Sequence, residues 1–123
     1  MSPAERRSFP DLTLSPIAAT LELTGQTAVV TGGAHGIGLA ICRRLSEAGA
    51  NVVVADRDTH AAKSAAVDLG EHCVAAYVDV SDGTSIRDLA ARAVDGFGTL
   101  DVWVNNAGAY PRQALLDITD EDW

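Results

Sequence analysis

Short, uninterrupted apolar runs alternate along this chain with longer stretches in which apolar residues recur every three or four positions. The runs at residues 27–31, 51–55, 72–78 and 100–104 are rich in Val and other β-formers, and each predicts a strand. Between the first two, residues 36–48 carry Ile37, Ile41, Leu45 and Ala48 on one helical face, with Gly49 placed to end the helix. Residues 59–69 form an alanine-rich helical stretch closed by Gly70. A third helix, capped by Ser81 or Asp82, has Ile86, Leu89, Ala90, Ala93, Val94 and Phe97 at helical spacing. Strands that stay apolar at successive positions are buried on both faces, which implies a parallel sheet between helix layers. Strand–helix–strand repetition then predicts a doubly wound α/β fold with right-handed crossovers.

The two ends break this beat. Residues 1–22 hold Arg6, Arg7 and three prolines without a continuous apolar core, and are expected to be a flexible leader rather than a secretory signal. Residues 23–123 are expected to form the folded unit. At the far end Thr119-Asp120-Glu121-Asp122 offers an N-cap and first-turn acids, with Asp122 placed for a capping box and Trp123 opening an apolar face. A helix starting there, and an apolar fourth strand with an uncovered flank, predict a fragment or a chain completed by a partner. Such an edge predicts aggregation or oligomers for the chain alone.

Composition narrows the class. A 123-residue chain that is 47% apolar fits one small globular domain. The net charge of -8 argues against nucleic acid and anionic membranes as partners, since both require a basic face. No run approaches the ~20 apolar residues that cross a bilayer, so the expected location is the cytoplasm. Cys42 and Cys73 have no metal-ligand spacing and are expected to be buried free thiols. His35, His60 and His72 form no metal pattern either, so no metal site is expected.

Candidate chemistry gathers at the ends of the predicted strands. Thr31-Gly32-Gly33-Ala34-His35-Gly36-Ile37-Gly38 lies between the first strand and the first helix, where backbone N–H groups and the helix dipole converge on one spot. Its spacing, Gly-x-x-x-Gly-x-Gly, differs from the usual Gly-x-Gly-x-x-Gly, and no Gly-Lys-Ser/Thr follows to make a P-loop. Asp56, at the end of strand two, is placed to accept hydrogen bonds from both ribose hydroxyls of an adenosine. It would repel a 2′-phosphate, which favours NAD over NADP, whereas the adjacent Arg57 would tolerate one. Asp79-Val80 and Asn105-Asn106-Ala107-Gly108 follow strands three and four at the edge where parallel sheets bind ligands. Taken one at a time, each stretch is also compatible with an ordinary turn or helix cap.

Together, in this order and at these separations, the four stretches resemble the short-chain dehydrogenase/reductase family over roughly residues 23–123. The resemblance implies an incomplete Rossmann-type sheet of about four strands and hydride transfer between a nicotinamide and an alcohol/carbonyl pair. It implies that Gly32 makes the turn, Gly36 and Ile37 meet the diphosphate and nicotinamide side, and Gly38 lets helix pack on sheet. Asp56 would hold the ribose, with Arg57 beside it, and Asp79 and Val80 would flank the adenine. Asn106, Ala107 and Gly108 would line the cofactor, with Ala34 and His35 in the glycine-rich turn; His35 stands where NADP-preferring relatives often carry a basic residue. The family's catalytic Asn, Ser and Tyr-x-x-x-Lys have no counterpart here: Tyr77 has Ser81 four residues on, Tyr110 has Ala114, and Lys63 is the one lysine. No catalytic residue is therefore assigned, and the chain alone is expected to be inactive. The other readings are a non-catalytic dinucleotide-binding or interaction module completed by a partner chain or a second copy, and a non-functional fragment.

Overall fold

The sheet is built as the apolar runs require. In the computed structural model, which describes residues 16–109 and 115–122, four strands run parallel in the order β3-β2-β1-β4. They are β1 (Thr27–Thr31), β2 (Asn51–Asp56), β3 (Cys73–Tyr77) and β4 (Val102–Val104). A one-turn helix α1 (Ile17–Thr20) precedes them, and α2 (Gly36–Glu47), α3 (Thr59–Leu69) and α4 (Gly83–Phe97) connect them. The result is a four-stranded, incomplete Rossmann-type α/β sheet with helices on both faces.

Alternation of side chains explains why the central strands carry no polar interior positions. Val30, Val52 and Val54 pack with Ala34, Cys42 and Ala62 under α2 and α3. Their neighbours Val29, Val53 and Ala55 pack with Val78, Leu89 and Ala93 under α4. Every residue of β1 is buried, including Thr27 and Thr31. Cys42 and Cys73 are both free and buried. The helices stop and start by familiar chemistry. Asp58 accepts the Ala61 N–H at 2.9 Å to cap α3, and Asp82, one of the two caps expected, accepts the Thr84 N–H at 2.9 Å to cap α4. Gly98 ends α4 with φ +82°.

Strand four is shorter than the apolar run suggested, for a visible reason. The Asp101 carboxylate accepts the Thr27 N–H at 2.9 Å, while the Asp101 N–H donates to the Thr27 carbonyl at 2.9 Å. A side chain stands in for the ladder acceptor, so regular pairing begins only at Val102. Strand three likewise starts at Cys73, whose N–H turns back to the Gly70 carbonyl. Within the stretch expected to be a loose leader α1 is helical, and at the start of the expected folded unit the Leu23 N–H donates to the Ala48 carbonyl at 2.7 Å. At the other end Asp120–Asp122 forms a 3-10 turn, and the Asp122 carboxylate accepts the Thr119 N–H and hydroxyl, each at 2.8 Å. Residues 1–15 of the leader, Tyr110 and Trp123 lie outside the described residues.

Candidate dinucleotide-binding site

The C-terminal ends of β1 and β4 are locked together by one hydroxyl. Thr31, buried at the end of β1, donates through Oγ to the Val104 carbonyl at 3.3 Å. The same oxygen accepts the N–H groups of Asn106 at 3.2 Å and Ala107 at 3.1 Å. The Asn106 side-chain amide returns the bond, donating to the carbonyls of Thr31 at 3.1 Å and Gly32 at 3.2 Å. This lattice brings the loop after β4 so close to the glycine-rich turn that side chains are excluded. Gly32 has φ +65°, and a Cβ there would stand 3.0 Å from the Ala107 Cα. A Cβ on Gly38 would overlap the Gly32 carbonyl oxygen and stand 2.5 Å from the Asn106 amide nitrogen. Gly36 is different: its φ is +54°, yet a Cβ would meet nothing within 4 Å.

The start of α2 is open to an anion. His35 occupies the N-cap with extended φ and ψ and makes no capping bond through its side chain. The first N–H groups of the helix therefore have no side-chain cap from His35, at the positive end of the helix dipole.

Asp56 is held from two sides. Its Oδ2 accepts the Ala34 N–H at 3.2 Å and its Oδ1 accepts the Asp58 N–H at 3.0 Å. The His35 Nδ1 stands 4.0 Å from the same Oδ2, with the His35 side chain 66% exposed and that of Asp56 15% exposed. A carboxylate offers about four lone-pair sites, so two backbone bonds leave room for two hydroxyls. Asp79 is committed elsewhere: its Oδ1 accepts the Ser81 hydroxyl at 2.6 Å and the Ser81 N–H at 3.0 Å. The Ser81 bonds, helped by the nearby Arg57 guanidinium, hold the Asp79 carboxyl below its ordinary range.

One cleft of about 400 Å³ collects most of these groups at the sheet edge. Gly32, His35 and Ile37 line it from the turn, Asp56 and Arg57 from the end of β2, and Val80 from the loop after β3. Asn106, Ala107 and Gly108 close it from β4. Ala34, Gly36, Gly38 and Asp79, also singled out in the sequence, do not line it. Ala34 and Gly38 are buried in the frame behind it, Gly36 is exposed at the mouth of α2, and Asp79 braces the approach to α4 through Ser81 and Ser85.

The comparisons with known proteins agree with this geometry. The family model described as short chain dehydrogenase matches residues 26–123. The chain belongs to the short-chain dehydrogenase family. It is 36% identical over 103 residues to a sorbitol dehydrogenase of Cereibacter sphaeroides, covering 84% of this chain and 40% of that one. It is 42% identical to 3beta-hydroxysteroid dehydrogenase 2 of Eggerthella lenta, covering 81% and 39% respectively. Chlorophyll(ide) b reductase NOL of Arabidopsis thaliana is 33% identical over 91% of this chain and 37% of its own length. The chain thus spans about two fifths of the length of these curated relatives.

Two features of the structure were not foreseen from the sequence of this short-chain dehydrogenase family member. One is that the Arg57 guanidinium, at the end of β2, lies near enough to Asp79 after β3 to help lower its carboxyl, behind the Ser81 bonds. Nothing in linear spacing joins them; only the β2–β3 register does. The other is a wide groove of about 1290 Å³ between residues 16–24 and the outer face of α2, lined by Leu21, Leu23, Ile37, Ile41 and Leu45 among others. The i, i+4 pair Ile37–Ile41 was its signal on the helix side, but Leu21 fell in the stretch expected to be a leader and Leu23 at the boundary beside it. Among the described residues no helix is long and apolar enough to cross a membrane, and no cluster of potential metal ligands forms.

Proposed function

We propose that this chain is the dinucleotide-binding portion of an NAD-dependent oxidoreductase that moves hydride between nicotinamide and an alcohol/carbonyl pair. One observation carries the reading: the uncapped N-terminus of α2 opens onto the same cleft as Asp56 and the Asn106–Ala107–Gly108 loop. The donor set fits the group. The uncapped N–H groups after His35 suit a diphosphate, and the open space at Gly36 admits its close approach. The fixed, acceptor-only Asp56 carboxylate suits a ribose diol and disfavours a 2′-phosphate, which is the ground for NAD over NADP. Val80 and Ala107 supply apolar surface to a flat ring. Bound there, the nicotinamide would supply the hydride acceptor or donor.

Proton transfer is assigned to no residue of this chain. Tyr77 ends β3 half-exposed with Ser81, not a lysine, four residues on, and Lys63 lies exposed on α3. The alcohol or carbonyl substrate, and any further strands adding beside β4 from this polypeptide or a partner, belong to the same proposal. So does a cytoplasmic site of action, where NAD is supplied.

Titration calorimetry with NAD tests the reading directly. Asp56→Ala removes both ribose acceptors and should weaken binding about tenfold or more, at about 1 kcal/mol or above per charged hydrogen bond. A melting curve run alongside separates loss of the site from loss of the fold. An affinity unchanged in a folded Asp56→Ala protein would remove Asp56 from the site.

A further inference from the structure

We propose that the apolar groove along α2 is the seat of residues 9–15 of this same chain, a segment outside the described residues. The groove is lined for hydrocarbon. Ile37, Ile41 and Leu45 recur one helical turn apart on α2, opposite Leu21 and Leu23. Ile37 is 75% exposed and Leu21 64%, so a contiguous apolar strip stands open to solvent. The five polar side chains along the groove are engaged locally. Arg44 pairs with Glu47, the Thr24 hydroxyl donates to Glu22 at 2.9 Å, and the Thr20 hydroxyl donates to the Ile17 carbonyl at 2.7 Å. Small-molecule sites enclose ~300–1,000 Å³ and fix the ligand with a few convergent polar groups. At about 1290 Å³, open and with its polar groups spent on one another, this groove suits an apolar stretch of polypeptide instead.

The sequence just upstream is the complement. Phe9-Pro10-Asp11-Leu12-Thr13-Leu14-Ser15 runs directly into Pro16, which itself lines the groove and enters α1 with φ -56° and ψ 140°. Pro10 and Pro16 disfavour helix at the residues before them. In an extended run Leu12 and Leu14 share one side, and Thr13 and Ser15 share the other. The reach is sufficient: at ~1.5 Å per residue the helix strip from Ile37 to Ala48 is ~16 Å long, and residues 9–15 extended span ~23 Å. Tethering decides between this segment and a second copy. A segment joined by a short connection acts at an effective concentration of about millimolar, whereas a second copy brings its own net charge of -8 against this one. Ile37 lines the dinucleotide cleft as well as the groove, so the seated segment backs one wall of that cleft. The docking itself holds whatever the cleft binds.

The test is methyl NMR on the full 123-residue chain with labelled Ile and Leu side chains. Cross-peaks are expected from Leu12 and Leu14 to Ile37 and Ile41, unchanged on dilution. The double variant Leu12→Ser with Leu14→Ser alters no residue of the sheet or its helices. It should lose those cross-peaks, shift the Ile37 and Ile41 resonances, and raise the fluorescence of anilinonaphthalene sulfonate, a probe of exposed apolar surface. Thr13→Ala with Ser15→Ala, on the other side of the run, should do none of these. A folded parent chain without the cross-peaks would overturn the proposal, as would Ile37 and Ile41 resonances that stay in place in the Leu12→Ser, Leu14→Ser chain. Cross-peaks that fade on dilution would give the groove to a second copy and overturn it equally.

Discussion

Two glycines two residues apart in the same turn should respond to one added methyl group by different amounts and for different reasons. Gly38 lies inside α2, where alanine would ordinarily gain about 1 kcal/mol of helix propensity over glycine. Here the new Cβ would overlap the Gly32 carbonyl oxygen and crowd the Asn106 amide at 2.5 Å. Relief requires the β4 loop to move, which strains the packing by about 1–3 kcal/mol. It also breaks the Asn106 bonds to the Thr31 and Gly32 carbonyls, each worth about 1 kcal/mol. The net expectation is a loss of about 2–4 kcal/mol, which at a slope of about 2 kcal/mol per molar lowers the urea midpoint by about 1–2 M. Gly36→Ala meets open space and costs only its left-handed backbone, about 1–2 kcal/mol. It should therefore lower the urea midpoint by about 0.5–1 M, less than Gly38→Ala does, while binding NAD markedly more weakly, because its methyl group stands in the diphosphate approach. Urea denaturation followed by circular dichroism, with calorimetry on each folded variant, reads both effects. A Gly38→Ala midpoint equal to or above the parent's would refute the packing argument, since propensity alone predicts that result.

The remaining predictions concern titration. Burial, with Cys73 adding to it, pushes the Cys42 thiol up to about 11, so at neutral pH it is held as the unreactive thiol. Alkylation of Cys42 followed by mass spectrometry should be slow in the native chain and fast in urea, and equal rates would contradict the buried placement. The Asp79 carboxyl is depressed by the Ser81 bonds, so its stabilising effect is present above the ordinary carboxylate value and lost as pH falls through the lower folded one. Ser81→Ala should move the Asp79 midpoint upward in a carbon-detected NMR titration; an unmoved midpoint would show that the hydroxyl is not the cause.

The periodicity of the sequence made the sheet legible because each strand had to bury both faces, and the alternation of Val29 with Val30 onto opposite layers is the structural form of that constraint. Strand limits were harder to read where side chains replaced backbone partners, as Asp101 does at Thr27. The chemistry at the sheet edge was legible for a related reason. Every strand ends there, so residues far apart in sequence, such as Asp56 and Gly108, are forced into one cleft by topology alone. Asp79 shows the limit of that logic: it ends at the correct edge, but Ser81, two residues on, turns its carboxylate toward the lead-in of α4. Position along a strand places a residue near the site; its local hydrogen bonds decide whether it faces in.

The glycine-rich turn consequently separates into two sets that a motif written in one line cannot distinguish. Gly32 and Gly38, together with Thr31 and Asn106, are closed positions, where a Cβ or a missing hydrogen bond would disrupt the join between β1 and β4. His35, Gly36 and Ile37 are open positions, exposed to solvent and without side-chain partners that fix the helix start. The closed set builds the frame and leaves no freedom to vary; the open set meets whatever binds. A frame fixed by backbone contacts suits the diphosphate of the proposed nucleotide. The tuning left to the chain is concentrated in the few open side chains at its rim, among them His35, Ile37 and Arg57.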